Sequence, residues 1–239
     1  MKRLELLLIL ATLGLYAAWL TRSPIYLDDT EILFGLHAHG LATTMHDSNG
    51  RLLPLYFQMK SIGDNVWFQP MLPYWTALFS IILPVSVWAV RLPTVFVGVI
   101  DVALTYFIGR RLFGSAAYGA AAAILLALTP AHFMHARIAM DYIYPLPFVL
   151  GWLLCVVRYD ETGEGWLMLT GGLILGVGMC SYLGAVGTLP MYVVMTAVYL
   201  LHKNRRAELS LGLIVTGFLI PFALLAIWLY DKSRSRSAQ

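Results

Sequence analysis

Charge is scarce in this sequence. Only 12% of its 239 residues are Asp, Glu, Lys or Arg, about half the share of an ordinary soluble domain. Hydrophobic residues make up 59%, and the mean hydropathy is +0.74. That balance excludes a soluble globular domain and identifies an integral membrane protein. Cysteine is equally sparse: Cys155 and Cys180 both lie within apolar runs, where a thiol packs as a small hydrophobe, so no disulfide is expected. The net charge of +3 comes from short basic clusters between apolar runs. Such clusters report orientation in a bilayer, and nucleic acid is not an expected partner. Internal repeats, low-complexity tracts and a separate soluble domain are absent from the sequence as well.

Long apolar runs are what the sequence does have. Crossing about 30 Å of hydrocarbon takes roughly 20 apolar residues, and runs of that order lie at about 4–20, 89–109, 116–133, 142–158, 166–183, 186–202 and 209–230. No small-x-small cleavage site separates the first run from the acidic stretch beyond it, so it reads as an anchor that stays. The segment 70–88 is also apolar, but it carries Pro70, Pro73 and Pro84. Charge parity decides its role. Lys2 with Arg3, Arg110 with Arg111, Arg158, and the cluster Lys203, Arg205 and Arg206 all belong in the cytoplasm, so consecutive clusters are separated by an even number of crossings. Runs 4–20 and 89–109 already supply two. Residues 70–84 therefore read as a helix lying in the outer interface, or a re-entrant hairpin, with Trp67, Tyr74 and Trp75 at headgroup level.

The expected fold is an all-α polytopic membrane protein of about seven transmembrane helices, with a long first extracytoplasmic loop carrying interfacial helices. It is read as one domain over 1–239: loop 21–88, helical bundle 89–230 and polar tail 231–239. The N-terminus is expected in the cytoplasm and the protein in the cell membrane. The tail "DKSRSRSAQ" would then lie outside, against the positive-inside preference.

The outer loop opens on "SPIYLDDTEI", three carboxylates within four residues. Asp28-x-x-Glu31 has the spacing of a helix capping box, and "EILFGLHAHGLAT" follows as an amphipathic surface helix. A cap accounts for one Asp and the Glu and leaves one carboxylate free for chemistry. Ionisable groups at a membrane boundary are often functional.

Four stretches share a pattern. "YLDDTEILFGLHAHGLATTMHDSNGRLLPLYFQ", "VRLPTVFVG", "GRRLFG" and "LTPAHFMHARIAMDY" follow one another in order. Together they resemble the GT-C superfamily of lipid-linked-sugar glycosyltransferases, in particular its protein-mannosyltransferase-like branch, over about residues 25–200. The resemblance implies an enzyme that takes a sugar from a polyprenyl-phosphate carrier and moves it, with inversion, to an acceptor on the outer face. Nucleotide sugars are not available there, so the donor arrives on a lipid. Asp28 matches the family's first acidic position, the general base. Asp29 orients Asp28 or the acceptor, or caps the helix, and Asp141 matches the second acidic position. Arg137, four residues before Asp141 and expected on the same helical face, is the first candidate for the phosphate, with Arg51 and Arg91 behind it. An i,i+4 ion pair with Asp141 is the structural alternative for Arg137. Glu31, His132 and Tyr182 complete the expected substrate-contacting set. Where a Tyr-x-x-x-Arg turn is expected, the chain has Tyr182 but Val186, so one phosphate contact is lost.

Other polar groups are read more plainly. His132 and His135 are adjacent on one helix face, with Asp141 near. They read as interfacial residues, one matching the family's Trp-His, and no metal or cofactor is assigned. His37 and His39 form a poor ligand pair, and His46, Asp47, Asn49 and Gly50 read as a turn. Asp101, mid-span, is expected to meet a basic partner or a backbone carbonyl. The glycines 171, 172, 176, 178, 184 and 187 are expected to permit close helix packing. Expected partners are the polyprenyl-phosphate-linked sugar, an acceptor of unspecified class and membrane lipids. Family relatives are expected to continue through further spans, so the chain is expected to be a fragment, a short form or half of a complex with a partner subunit. The alternative function is a non-catalytic, carrier-binding accessory subunit of a glycosylation system.

Overall fold

The long apolar runs of the sequence fold as helices, but the run 116–133 is broken at Thr129, before Pro130, into two helices, Ala116–Leu128 and Pro130–His135. The computed structural model describes residues 2–22, 24–60, 65–203 and 207–237; Arg205, Arg206 and the last two residues of the polar tail lie outside them. In chain order the elements are α1 (Lys2–Ala17), α2 (Asp29–Thr44), β1 (Phe57–Lys60), β2 (Asn65–Phe68), α3 (Met71–Ser80), α4 (Val87–Leu112), α5 (Ala116–Leu128) and α6 (Pro130–His135). A 3-10 turn at Asp141–Ile143 leads to α7 (Leu146–Thr162), α8 (Trp166–Gly178), α9 (Ala185–Lys203) and α10 (Ala207–Ser237). Three segments, Val87–Leu112, Asp141–Thr162 and Ala185–Lys203, are long and apolar enough to cross a membrane, while Ala116–Leu128, Trp166–Gly178 and Glu208–Ala223 are apolar but shorter. The protein is a largely helical membrane protein.

The proline-rich segment 70–88 does not form one long helix. α3 has ten residues, roughly 15 Å of rise and half the hydrocarbon thickness. Pro84 falls in the turn after it, and Ser86 starts α4 by accepting the Ala89 N–H at 3.3 Å.

The antiparallel pair β1–β2, with Phe57 opposite Phe68 and Gln58 opposite Trp67, was not expected from the sequence. Its inner face explains it. Phe57 is fully buried with Ala38, Leu41 and Ala77 and meets His37 and Tyr74 edge-on at 5.1 and 5.7 Å. The alternation of "FQMK" and "NVWF" on either side of "SIGD" was the available signal.

The chain divides into two compact units, Met1–Pro147 with Cys180–Leu183, and Phe148–Met179 with Gly184–Gln239. In the first, α1 and α4 run antiparallel and are tied at both ends. Arg110 donates to Glu5 at 2.8 Å at one end, and Arg91 donates to the Leu20 carbonyl at 3.0 Å at the other. Between them lies a core that includes Tyr16, Val95, Val99, Tyr106 and Ala136. Gly98 permits this approach: a Cβ there would stand 2.7 Å from Ala136 Cβ and 3.0 Å from the Tyr16 ring.

In the second unit, α8 lies directly on α10. A Cβ at Gly172 would stand 2.1 Å from the Ile214 carbonyl oxygen, and one at Gly217 would stand 2.1 Å from that of Leu169. Backbones approach this closely in membranes only where small residues face each other. Trp152 donates to Thr196 at 3.0 Å, linking α7 to α9, and Lys203 pairs with Asp160.

Gly172→Ala should therefore lower stability by about 1–3 kcal/mol through overpacking against rigid backbone. Gly187→Ala, where no atom lies within 4 Å of the new Cβ, should leave it unchanged. Thermal unfolding of the two variants in detergent checks the pair, and equal loss in both would refute the packing account.

Candidate functional site

The acidic stretch folds as its spacing dictates. Asp28 is the N-cap of α2: its Oδ1 accepts the Thr30 N–H at 2.9 Å, while Glu31 Oε2 accepts the Asp28 N–H at 3.0 Å, completing the capping box. The cap holds both aspartates at the surface, and both are exposed. Glu31 points the other way and is 1% exposed.

Beneath the acidic pair, Glu31 meets Arg91, 60 residues on in the sequence and fully buried. Arg91 Nε donates to Glu31 Oε1 at 2.8 Å and Nη2 donates to Oε2 at 2.7 Å, a bidentate pair. The remaining guanidinium hydrogens go to the carbonyls of Leu20 (3.0 Å), Pro24 (2.8 Å) and Tyr26 (2.8 Å). A guanidinium has five N–H donors, and all five are used. Glu31 is saturated too, because Oε1 also accepts the Ala139 N–H at 2.7 Å. One carboxylate thus joins the start of α2 to the segment that carries Asp141, two residues after Ala139. Arg91 and Glu31 hold the site together and have no group left for a phosphate or a sugar.

Arg137 and Asp141 do not share a helical face as the sequence suggests. α6 ends at His135, residues 136–140 are non-helical, and Asp141 opens a separate 3-10 turn. Arg137 instead donates to the carbonyls of Leu15 and Tyr16 at 3.2 and 2.9 Å, at the C-terminal end of α1, where a cation is favoured. Its guanidinium lies 5.0 Å from the Phe133 ring centre. Burial, and next the charge of Arg91, pull its pKa below the ordinary value. An arginine nevertheless remains charged.

Asp101 finds its partner in His132. Nε2 of His132 lies 3.3 Å from Asp101 Oδ2, and Nδ1 lies 2.8 Å from the Tyr16 hydroxyl. The tautomer with hydrogen on Nε2 satisfies both contacts. His135 meets Tyr142 edge-on at 5.3 Å, and Tyr142 meets Tyr182 at 5.6 Å.

Arg51 belongs to the expected turn. Asp47 Oδ1 accepts the N–H groups of Asn49 and Arg51 at 2.9 and 2.8 Å, Asp47 Oδ2 accepts from Arg51 Nε at 3.0 Å, and Gly50 has φ +76. The Arg51 guanidinium lies 5.2 Å from the centre of Trp67. His37 accepts the Ser48 N–H at 3.3 Å, and burial pulls its imidazole below the ordinary range against the opposing charge of Asp47.

Among the described residues the Asp29 carboxylate makes no hydrogen bond or ion pair, so it is the unengaged member of the acidic pair. Sequence reasoning missed Tyr16 and the Ala139 amide, which serve through long-range contacts that no local spacing announces.

The family model for dolichyl-phosphate-mannose-protein mannosyltransferases matches residues 69–230, more than half of the chain. The chain belongs to this family. Comparisons with curated proteins and with solved structures find no match. The mannosyltransferase family is of the GT-C type and uses polyprenyl-phosphate sugars. Its matched span contains Arg91, His132, Arg137, Asp141 and Tyr182, whereas Asp28, Asp29, Glu31 and Arg51 precede it. Glu31 nevertheless bonds to two points inside that span, Arg91 and Ala139.

Arg91→Ala should cost about 3–5 kcal/mol, the usual effect of leaving one partner of a buried pair uncompensated. The double variant Arg91→Met/Glu31→Leu should not recover that loss, because three carbonyls and two amides also lose their partners. Chemical or thermal unfolding measures both, and wild-type stability in the double variant would refute the saturated-hub account.

Proposed function

We propose that this chain is a membrane glycosyltransferase that takes a sugar from a polyprenyl-phosphate carrier and transfers it, with inversion, to an acceptor on the extracytoplasmic face. The observation that carries the reading is the exposed pair Asp28–Asp29, presented by Glu31, which is also bonded to Ala139 beside Asp141. Asp28, oriented by its Thr30 bond, is the general base. It takes the proton of the acceptor hydroxyl or amine as the acceptor's lone pair attacks the anomeric carbon. The bond from that carbon to the carrier phosphate oxygen breaks, and the phosphate leaves with the electron pair. Asp29 positions the acceptor, Asp141 completes the acidic set, and Arg137 balances charge on the leaving phosphate.

Seven crossings, with the N-terminus in the cytoplasm of the cell membrane and residues 21–88 outside, suit this role. Two contacts support the orientation. The Glu5–Arg110 pair sets the basic ends of α1 and α4 side by side, and Asp160 with Lys203 does the same for α7 and α9. Both arrangements agree with clusters on one side of the bilayer.

Asp28→Asn separates chemistry from folding, because Asn caps a helix about as well as Asp. In membranes supplied with radiolabelled polyprenyl-phosphate hexoses, Asp28→Asn should keep its thermal stability and lose about 10²-fold or more of turnover. Arg137→Ala should weaken donor binding by about tenfold. Donor bound without turnover in the wild-type chain would overturn the enzymatic reading and assign the chain a carrier-binding role.

A further inference from the structure

Arg91 does more than bind Glu31. Its Nη1 donates to the carbonyls of Leu20 and Pro24, at 3.0 and 2.8 Å, so one nitrogen closes residues 20–24 into a loop. Arg22 is the middle residue of that loop, and its own backbone N–H donates to the Trp19 carbonyl at 2.9 Å. The backbone on both sides of Arg22 is thus held by a fully buried guanidinium, while the Arg22 side chain is exposed. Among the described residues that side chain makes no hydrogen bond or ion pair.

Depth decides what an exposed arginine can meet. Arg91 lies in the second turn of α4, a helix long and apolar enough to cross a membrane, so the loop that it closes lies at one end of that span, at the level of lipid headgroups. Trp19, 71% exposed on the turn before Arg22, is a residue suited to that level. In the proposed orientation this is the outer end, where the positive-inside bias disfavours an arginine without a partner. Arg51 is bonded to Asp47, Arg91 to Glu31, and Arg137 to the carbonyls of Leu15 and Tyr16. Arg22 has its whole guanidinium to offer, and the fork of N–H donors matches phosphate oxygens.

The same clasp relates Arg22 to the acidic pair. Arg91 Nη2 donates to the Tyr26 carbonyl at 2.8 Å, and Asp28 stands two residues beyond Tyr26 as Arg22 stands two beyond Leu20. Each is therefore within about 7 Å of chain from one buried guanidinium. Among the described residues Arg22 forms no ion pair with Asp28 or Asp29, so a cation and two carboxylates are set by one clasp with their charges available. We infer that Arg22 binds the phosphate of the lipid carrier at the membrane surface. Its charge offsets the repulsion that Asp28 and Asp29 exert on that phosphate, so the sugar can stand between cation and carboxylate. The word carrier rests on the glycosyl-transfer reading; the binding of a lipid-borne phosphate does not.

The test uses the full chain in phosphatidylcholine nanodiscs supplied with polyprenyl phosphate or with the neutral polyprenol, and native mass spectrometry counts the bound lipid. Arg22→Ala should weaken polyprenyl-phosphate binding about tenfold. It should leave polyprenol binding and thermal stability unchanged, because the side chain is exposed. Arg22→Lys, which keeps the charge and loses the fork, should fall between Arg22→Ala and the wild type. Unchanged polyprenyl-phosphate binding in Arg22→Ala would overturn the proposal. So would an equal loss for polyprenol, which would assign Arg22 to packing, and so would equal displacement of polyprenyl phosphate by phosphatidylglycerol, which would make Arg22 a contact for any anionic headgroup. Binding needs no turnover, so a wild-type chain that binds polyprenyl phosphate through Arg22 and transfers nothing defeats the transfer reading alone.

Discussion

The bond between Glu31 and Arg91 is the constraint on which the placement of α2 depends. Two opposite charges are removed from water, which is costly unless every hydrogen and lone pair is matched. Here the match is complete: five guanidinium donors meet five acceptors, and the carboxylate receives four donors. The partners come from the end of α1, the segment 24–26, the cap of α2, the first turns of α4 and the segment before Asp141. Such a pair contributes less to net stability than to uniqueness. This arrangement satisfies all of these groups at once and, through the cap, fixes where the two surface aspartates stand.

A second polar chain works within the span. Asp101, His132 and Tyr16 link α4, α6 and α1, and the Tyr16 carbonyl then receives Arg137. Ionisable residues at membrane depth are tolerated when they meet partners. These ones tie α1 to α6 and the segment after it that carries Arg137, the proposed phosphate ligand. Gly98 lets the three elements meet, since any side chain there would collide with Tyr16 and Ala136. The two polar networks both reach the segment 132–141, one through a side chain of α6 and one through the Ala139 amide.

Much of this was legible in the sequence because it is local. Apolar runs gave the helices, prolines marked 70–88 as something other than a span, and the spacing of Asp28 and Glu31 gave the cap. The turn at Asp47 and Gly50 was equally plain. Two features were not legible. The strands β1 and β2 are short and half polar, and they exist because Phe57 finds a buried place against α2 and α3. The helical face assumed for Arg137 and Asp141 fails because Glu31, more than a hundred residues earlier, binds the Ala139 amide, and an amide bound to a side chain is not available to a helix. The family match begins after the acidic loop, so the loop's kinship was read from its motifs alone.

The fastening of α1 to α4 at both ends has a consequence for biogenesis. α1 is made before α4, and its two clasps, Arg91 and Arg110, are made 71 and 105 residues later than Leu20 and Glu5. Until α4 is made, Glu31 and the carbonyls of Leu20, Pro24 and Tyr26 lack the Arg91 donors they have in the fold. The cap of α2 therefore takes its final shape only after α4 is made. Asp28 and Asp29 are set in place by a helix translated after them, so this acidic end of α2 matures in the reverse of the order in which it is synthesised.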